Sequence, residues 1–375
     1  MQAEADAVHA RDCKDRRRPR DQQQAELVGY RPAGVRRVIA ILEANSWECQ
    51  AAGVTDRGLR GAMTVRVRVL FIVLALAMAG CVQKSLPAGA RFADRVLAAM
   101  DSGLYATGEA WRIARAQAVA STRDSQTPED ALAPLRSALA TAGRGHSSLY
   151  KNLEGSPSQA PSQAAMPIVK ASSARIGVVQ IPELYGADAK VAQEYARSLS
   201  SGIKDAAPAS SCGWIIDLRG NTGGDMRPML AGLTPLLPNG VVASSESRDG
   251  VRTHITVTDG TVRFGNELEF SEEESTKVPG PVAILLDGYT ASSAELVAIA
   301  FIGLENTRSF GTRSMGYSTG NVTFPIDSYT LVLTVGVDVD RQGKAYPAGI
   351  VPDVRVARNM DAAAAAANWL SDQCA

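Results

Sequence analysis

Three short, almost uninterrupted apolar runs restrict the fold most: Ile176-Gly177-Val178-Val179-Gln180-Ile181, Trp214-Ile215-Ile216-Asp217-Leu218 and Val282-Ala283-Ile284-Leu285-Leu286. Runs of this length between turn residues read as strands buried in a core. Helical patterns separate them. Val191, Tyr195, Leu199 and Ile203 recur every four residues, a short helix is expected around Pro228–Leu236, and another over Ser293–Gly303. Late strands are expected at Leu331–Val335 and Val354–Val356, and a terminal helix at Ala362–Leu370. Strands alternating with helices argue an α/β core. Between Val241 and Phe270 the pattern alternates, with Asp259-Gly260 as a hairpin turn. This reads as a small β insertion at about 240–280, carrying the acidic run Glu272-Glu273-Glu274.

The stretch from Ser85 to Ala142 is helical in pattern. Phe92, Val96, Leu97 and Met100 mark one apolar face, and Trp111, Ile113 and Ala114 belong to a second helix. Thr127-Pro128-Glu129-Asp130 is a helix start, with a capping hydroxyl, Pro at the first position and acids in the first turn. Leu132, Leu135 and Leu139 follow on one face, and Pro134 is expected to kink that helix. It ends at Gly143, just before Gly145-His146-Ser147. Gly155–Gln163, rich in Ser, Pro and Gln, reads as a loop.

Lys plus Arg and Asp plus Glu both number 39, so net charge is zero and nothing points to nucleic acid. Near the start, Arg66 and Arg68 precede the apolar run Val69–Gly80 and then Cys81. A basic flank, a short apolar stretch and small residues before a cysteine resemble a bacterial lipoprotein signal (63–80), with Cys81 acylated. A plain membrane anchor is the alternative. Either places the rest of the chain outside the cytoplasm, and Val82 after the cysteine favours the periplasmic face of the outer membrane. Residues 1–62 are charge-rich and aperiodic, and Met63 is expected to be the true start. Of five cysteines, Cys13 and Cys49 fall in that extension and Cys81 is the lipid site. Cys212 and Cys374 remain, an even pair in an oxidising compartment, expected to form a disulfide rather than stay as thiols.

Two segments carry chemistry. Thr290-Ala291-Ser292-Ser293-Ala294-Glu295 follows a strand and opens a helix, where N–H groups and the helix dipole favour a developing anion. Ser292 is then a nucleophile with the Ser293 N–H beside it, or, with Glu295 three residues on, an ordinary capping box. Asp217-Leu218-Arg219-Gly220-Asn221-Thr222-Gly223-Gly224 ends another strand in bare backbone. Gly224, with Gly223 as alternate, offers further donors for an oxyanion pocket, while Asn221 and Arg219 hold the loop. Of three histidines, His9 lies in the extension and His254 in the β insertion. His146, beside Ser147, is the candidate base. No metal-ligand cluster or nucleotide-binding pattern is present, so neither metal nor cofactor is expected.

Asp217–Gly224, Thr290–Glu295 and Gly349-Ile350-Val351-Pro352-Asp353 resemble the tail-specific (carboxyl-terminal processing) serine peptidases. Relatives that pair serine with lysine carry it in a Gly-Lys-Gly-like turn. The matching turn here, Met315-Gly316-Tyr317-Ser318, has none, so the chain is similar to the histidine type. Gly213–Arg219, Pro228–Leu233 and Gly316–Asn321 are shared with the nisin-resistance-type peptidases in particular. Some histidine-type relatives add a Glu near the position of Tyr346.

The resemblance implies a ClpP/crotonase-like α/β core (151–375), an N-terminal helical domain (81–150) carrying His146, a small β cap and no PDZ domain. It implies a serine endopeptidase with a Ser292/His146 dyad, acting on peptide or protein substrates near their C-termini and tethered by lipid. Alternatives are a non-catalytic peptide-binding lipoprotein with the same fold, or an envelope-assembly partner docking through Glu272–Glu274.

Overall fold

The computed structural model describes residues 86–152, 165–266, 268–271, 276–357 and 360–374. The extension, the signal, Cys81, the Gly155–Gln163 loop and Glu272–Glu274 lie outside the described residues. The chain forms two compact units. Among the described residues, one holds 165–323 and 336–374, and the other holds 86–152 together with Phe324–Val335.

The second unit opens with three helices, α1 (Ala88–Met100), α2 (Gly108–Thr122) and α3 (Pro128–Ala142). Phe92, Val96, Leu97 and Met100 on α1 are fully buried. Each such side chain contributes about 1.5–3 kcal/mol. On α2, Trp111 is buried but Ile113 is 44% exposed. All three residues read as a second helix lie on it, and Trp111 and Ile113, two apart, point to opposite sides of it. The capping box at α3 is closed: Thr127 Oγ1 accepts from Asp130 N at 3.4 Å, and Thr127 N donates to Asp130 Oδ2 at 2.9 Å. The helix runs on through Pro134. After Gly143 a single tight turn, Arg144–His146, leads into β1 (Ser148–Lys151), which pairs antiparallel with residues 329–332.

The first unit holds the α/β core. Its elements are β2 (Ile168–Ala171), β3 (Gly177–Gln180), α4 (Ala189–Ala206), β4 (Trp214–Asp217), α5 (Met226–Gly232), β9 (Val282–Leu286), α6 (Ser293–Phe301), β10 (Thr307–Gly311), β13 (Val354–Arg355) and α7 (Ala362–Asp372). One sheet runs in the order β13-β10-β9-β4-β3-β2, all parallel except β2. Tyr195, Leu199 and Ile203 on α4 are fully buried, as their spacing requires. In such a sheet ligands sit beyond the carboxyl ends of the strands. Four loops gather on that edge, those following β3, β4, β9 and β10.

The alternating stretch, read as a small β insertion at about 240–280, is built of strands. It forms a meander, β5 (Gly240–Ser247), β6 (Arg252–Thr258), β7 (Thr261–Phe264) and β8 (Leu268–Ser271). Its first strand pairs antiparallel with Gly336–Val339, the end of the long strand β12 (Tyr329–Val339). The pairing joins segments far apart in sequence, which local alternation cannot reveal. The β6–β7 turn has positive φ at both Asp259 (44°) and Gly260 (87°), as a tight hairpin of this twist requires. A further strand, β11 (Thr319–Ile326), pairs with β12.

Along α7, Ala362, Ala366 and Leu370 share one core with Ile215, Leu285 and Phe310. A disulfide between Cys212 and Cys374 (Cα–Cα 4.7 Å) fastens the end of that helix to the approach to β4. It closes a loop with a sequence separation of 162. Loops of this length give roughly 2–5 kcal/mol by limiting the unfolded chain. Cys374→Ala should therefore lower the unfolding free energy by that amount, read as a lower midpoint of denaturant unfolding. An unchanged midpoint would show that the bridge contributes nothing to stability.

Candidate active site

The site is built where the β4 and β9 loops meet. Thr290, fully buried, donates through Oγ1 to Leu218 O at 2.9 Å and accepts from Asp287 N at 3.0 Å. Ala291 N donates to Asn221 O (3.0 Å), Gly220 N to Asp287 Oδ1 (3.1 Å), and Ser293 Oγ to Gly224 O (2.5 Å). These bonds make the two turns one object.

Ser292 stands between strand β9 and helix α6 with φ +55° and ψ −121°. This is an uncommon backbone state for a residue with a side chain, costing of order 1–3 kcal/mol. A serine strained on a strand-to-helix turn presents its hydroxyl outward, as in a nucleophile elbow. What holds it is Glu295, a carboxylate with zero exposure. Glu295 accepts from Ser292 N (3.1 Å), Gly316 N (2.9 Å), Tyr317 N (2.7 Å) and Ser314 Oγ. Burial raises its pKa above the ordinary carboxylate value, and the four donors oppose that rise. The capping interpretation thus covers only one of Glu295's four bonds. The other three fasten the β10 loop.

Asn221 is 1% exposed. Its Nδ2 donates to Ile181 O at 2.9 Å and its Oδ1 accepts from Gly223 N at 2.8 Å. That bond commits the Gly223 N–H, the expected alternate donor. Gly224 N and Ser293 N have no hydrogen-bond partner among the described residues. Both glycines are needed as glycine. Gly223 has φ 116°, and a Cβ there would sit 2.8 Å from Ser292 Cβ and 3.2 Å from Ser293 N. Gly224 has φ 111°, and its Cβ would strike Leu184 O at 2.1 Å. The fit reflects backbone pairing, with Leu184 N donating to Gly223 O (3.0 Å) and Asp225 N to Leu184 O (2.8 Å). Arg219 is occupied by Asp217, from Nε at 2.8 Å and Nη2 at 2.7 Å, so the pair stiffens the exit of β4.

His146 closes the turn after α3 in the helical unit. Ser147 pins that turn: its Oγ lies 3.1 Å from Thr334 Oγ1 and accepts from Thr334 N at 2.9 Å. The ring is partly buried, and burial lowers its pKa to about 4, which leaves a neutral imidazole at ordinary pH. His254 is exposed on β6, its Nδ1 2.8 Å from Ser244 Oγ. The Tyr346 hydroxyl donates to Asp340 Oδ2 at 2.6 Å and is thereby engaged within its own loop. Among the described residues, no group of three or more His, Cys, Asp or Glu is arranged to hold a metal ion.

Sequence reasoning missed Thr290 and Asp287 as stitches, and it missed Asp338. This acid lies in the apolar run Gly336-Val337-Asp338-Val339 and is 5% exposed. A charge inside a buried strand was the signal available.

The model of peptidase family S41 matches residues 175–356. The nisin-resistance protein of Lactococcus lactis subsp. lactis is 28% identical over 291 residues, covering 76% of this chain and 88% of that protein. A solved structure of a lipoprotein from Streptococcus agalactiae is 26% identical and superposes with a TM-score of 0.66, covering 76% of this chain and 97% of that one. With its mixed α/β core, its N-terminal helices and its strained serine between paired turns, the chain belongs to peptidase family S41, the serine peptidases of the carboxyl-terminal processing type.

Proposed function

We propose that this is an envelope serine endopeptidase in which Ser292 attacks the substrate carbonyl and His146 takes the serine proton. His146 then protonates the leaving amine, and a water activated by the same imidazole releases the acyl group. The Ser293 and Gly224 N–H groups receive the tetrahedral oxyanion. The observation that carries this reading is the strained Ser292 backbone set beside those two uncommitted donors. Strain held at such cost clusters where chemistry is done.

The role of His146 is supported by its neutral ring and by Ser147, which fixes the turn that carries it. His254, by contrast, sits on an exposed strand. An acylated Cys81 would tether the enzyme to the periplasmic face of the outer membrane. The Streptococcus agalactiae neighbour is itself a lipoprotein. Peptides or protein C-termini in the envelope are the substrates that the family implies, and the nisin-resistance relative adds small antimicrobial peptides to that class. The reading includes no PDZ domain and no cofactor.

Replacing either Ser292 or His146 with alanine should lower kcat for a quenched fluorescent peptide by about 10⁴-fold or more. A serine-directed phosphonate should label wild type at Ser292. Wild-type turnover by Ser292→Ala, or an unlabelled serine in protein that binds peptide tightly, would favour the non-catalytic binder instead. Gly224→Ala should also lose activity, because its Cβ meets Leu184 O and the donor must shift.

The pH profile follows from His146. Its folded pKa lies below the ordinary 6.5, so the base stays neutral until pH falls toward about 4. The acid limb of kcat/KM should then fall well below 6.5. The native state also loses stability as pH drops from about 6.5 to about 4, because only the unfolded chain gains that proton readily. An acid limb at 6.5 would mean that the working base is not this buried imidazole.

A further inference from the structure

Asp338 is a buried acid that no step described above uses. It occupies the middle of the β12–β5 pairing, directly opposite Ser245, so the two side chains share a face. Its backbone N–H donates to Ser318 O at 3.0 Å. Asp338 is 5% exposed, Ser245 2% and Ser318 not at all. The hydroxyls of Ser245 and Ser318 are buried without a hydrogen-bond partner among the described residues. Of the charged groups around it, only Glu295 of α6 interacts with Asp338 appreciably. From β5 it meets Ser245, since Glu246, paired with Arg252, is on the other face of that strand. The segment before β11 presents Ser318. Just past the end of β12, Asp340 is engaged by Tyr346.

Adjacent residues join the two carboxyls, since Tyr317 N donates to Glu295 and Ser318 O accepts from Asp338 N, and two buried carboxyls held by neighbouring residues cannot both ionise cheaply. The hydrogen bonds decide which one does. Glu295 has four donors, a setting built for an anion. No hydrogen bond to the Asp338 carboxyl is formed among the described residues, and the unpartnered hydroxyl of Ser245, opposite it, can accept from an acid as readily as donate. We propose that Asp338 is a positioning residue held as the neutral carboxylic acid, which keeps Glu295 the sole anion beneath the Ser292 turn and disables that turn when it ionises at alkaline pH. Burial, and then the charge of Glu295, push the Asp338 pKa up to about 8, which sets where the switch acts. Because Glu295 holds the Ser292 N–H, a second negative charge beside it disturbs the backbone of the nucleophile itself. The inference rests on Ser292 being the nucleophile, but the proton on Asp338 does not.

The test compares wild type with Asp338→Ala and Asp338→Asn between pH 5 and 10, using peptide hydrolysis, thermal melting and infrared spectroscopy. Wild type should lose kcat, with little change in KM, as pH passes about 8. Asp338→Ala should lower kcat about tenfold or more at pH 6.5, and Asp338→Asn, a permanently neutral isostere, should restore most of it and abolish the alkaline limb. Because the native state binds this proton more tightly than the unfolded chain, wild-type stability should fall from pH 3.8 to about 8 and then level. Asp338→Asn should lack that decline. A protonated-carboxyl infrared band titrating near pH 8 should be present in wild type and absent from both variants. An alkaline limb unchanged in Asp338→Asn overturns the proposal, and so does the lack of a titrating carboxyl band in wild type, which needs no variant to fold. If the band and the stability profile appear but Ser292→Ala hydrolyses normally, the peptidase assignment fails while the neutral acid stands.

Discussion

Everything at the catalytic edge depends on the buried carboxylate of Glu295. Ser292 is held in a backbone state that costs of order 1–3 kcal/mol, and a local turn alone would relax it. Hydrogen bonds to a charged acceptor contribute roughly 1.5–3 kcal/mol each. Glu295 accepts four, so the strain is readily outweighed. Its donors come from the turn before α6 and from the loop after β10, which makes the position of the serine a property of two loops. Removing the carboxylate would release the strain and leave three N–H groups and a hydroxyl to find other partners.

The second constraint is steric. Gly223 and Gly224 allow one strand exit to press against Ser292 on one side and against Leu184 on the other. Asn221 then divides the donors, taking the Gly223 N–H and leaving the one from Gly224. Thr290, Asp287 and the Ser293 hydroxyl sew this loop to its neighbour. An oxyanion pocket needs donors fixed before the charge appears, and this network supplies that rigidity without using the two N–H groups that would do the work.

Burial sets the protonation of the groups concerned. It drives the imidazole of His146 towards its neutral form and the Asp338 carboxyl towards its acid form, both the uncharged species. Of these three groups, Glu295 is the one whose carboxylate accepts four hydrogen bonds, which favour its charged form against burial. A buried carboxylate is tolerated where hydrogen-bond donors surround it, and Glu295 has four.

Much of this was legible in one dimension. Apolar runs bounded by turns gave β3, β4 and β9, the four-residue stripe gave α4, and Asp259-Gly260 gave its hairpin, because periodicity and turn chemistry are local. The pairing of Ser292 with a glycine-rich turn was legible because acyl transfer demands those residue types. Where sequence reasoning failed, the cause was distance along the chain. The β insertion was legible, but its pairing with β12 was not, because that pairing joins residues about ninety apart. Gly223 could not be separated from Gly224 until the Asn221 side chain was seen to claim one of them. Asp338 had no visible role until β12 was set opposite Ser245 and within the field of Glu295. The sequence by itself determined which segments are strands and helices and which residue types carry the chemistry. Tertiary structure alone decided which N–H groups remain uncommitted and which carboxyl keeps its proton, since hydrogen bonding and desolvation depend on neighbours brought together only by folding.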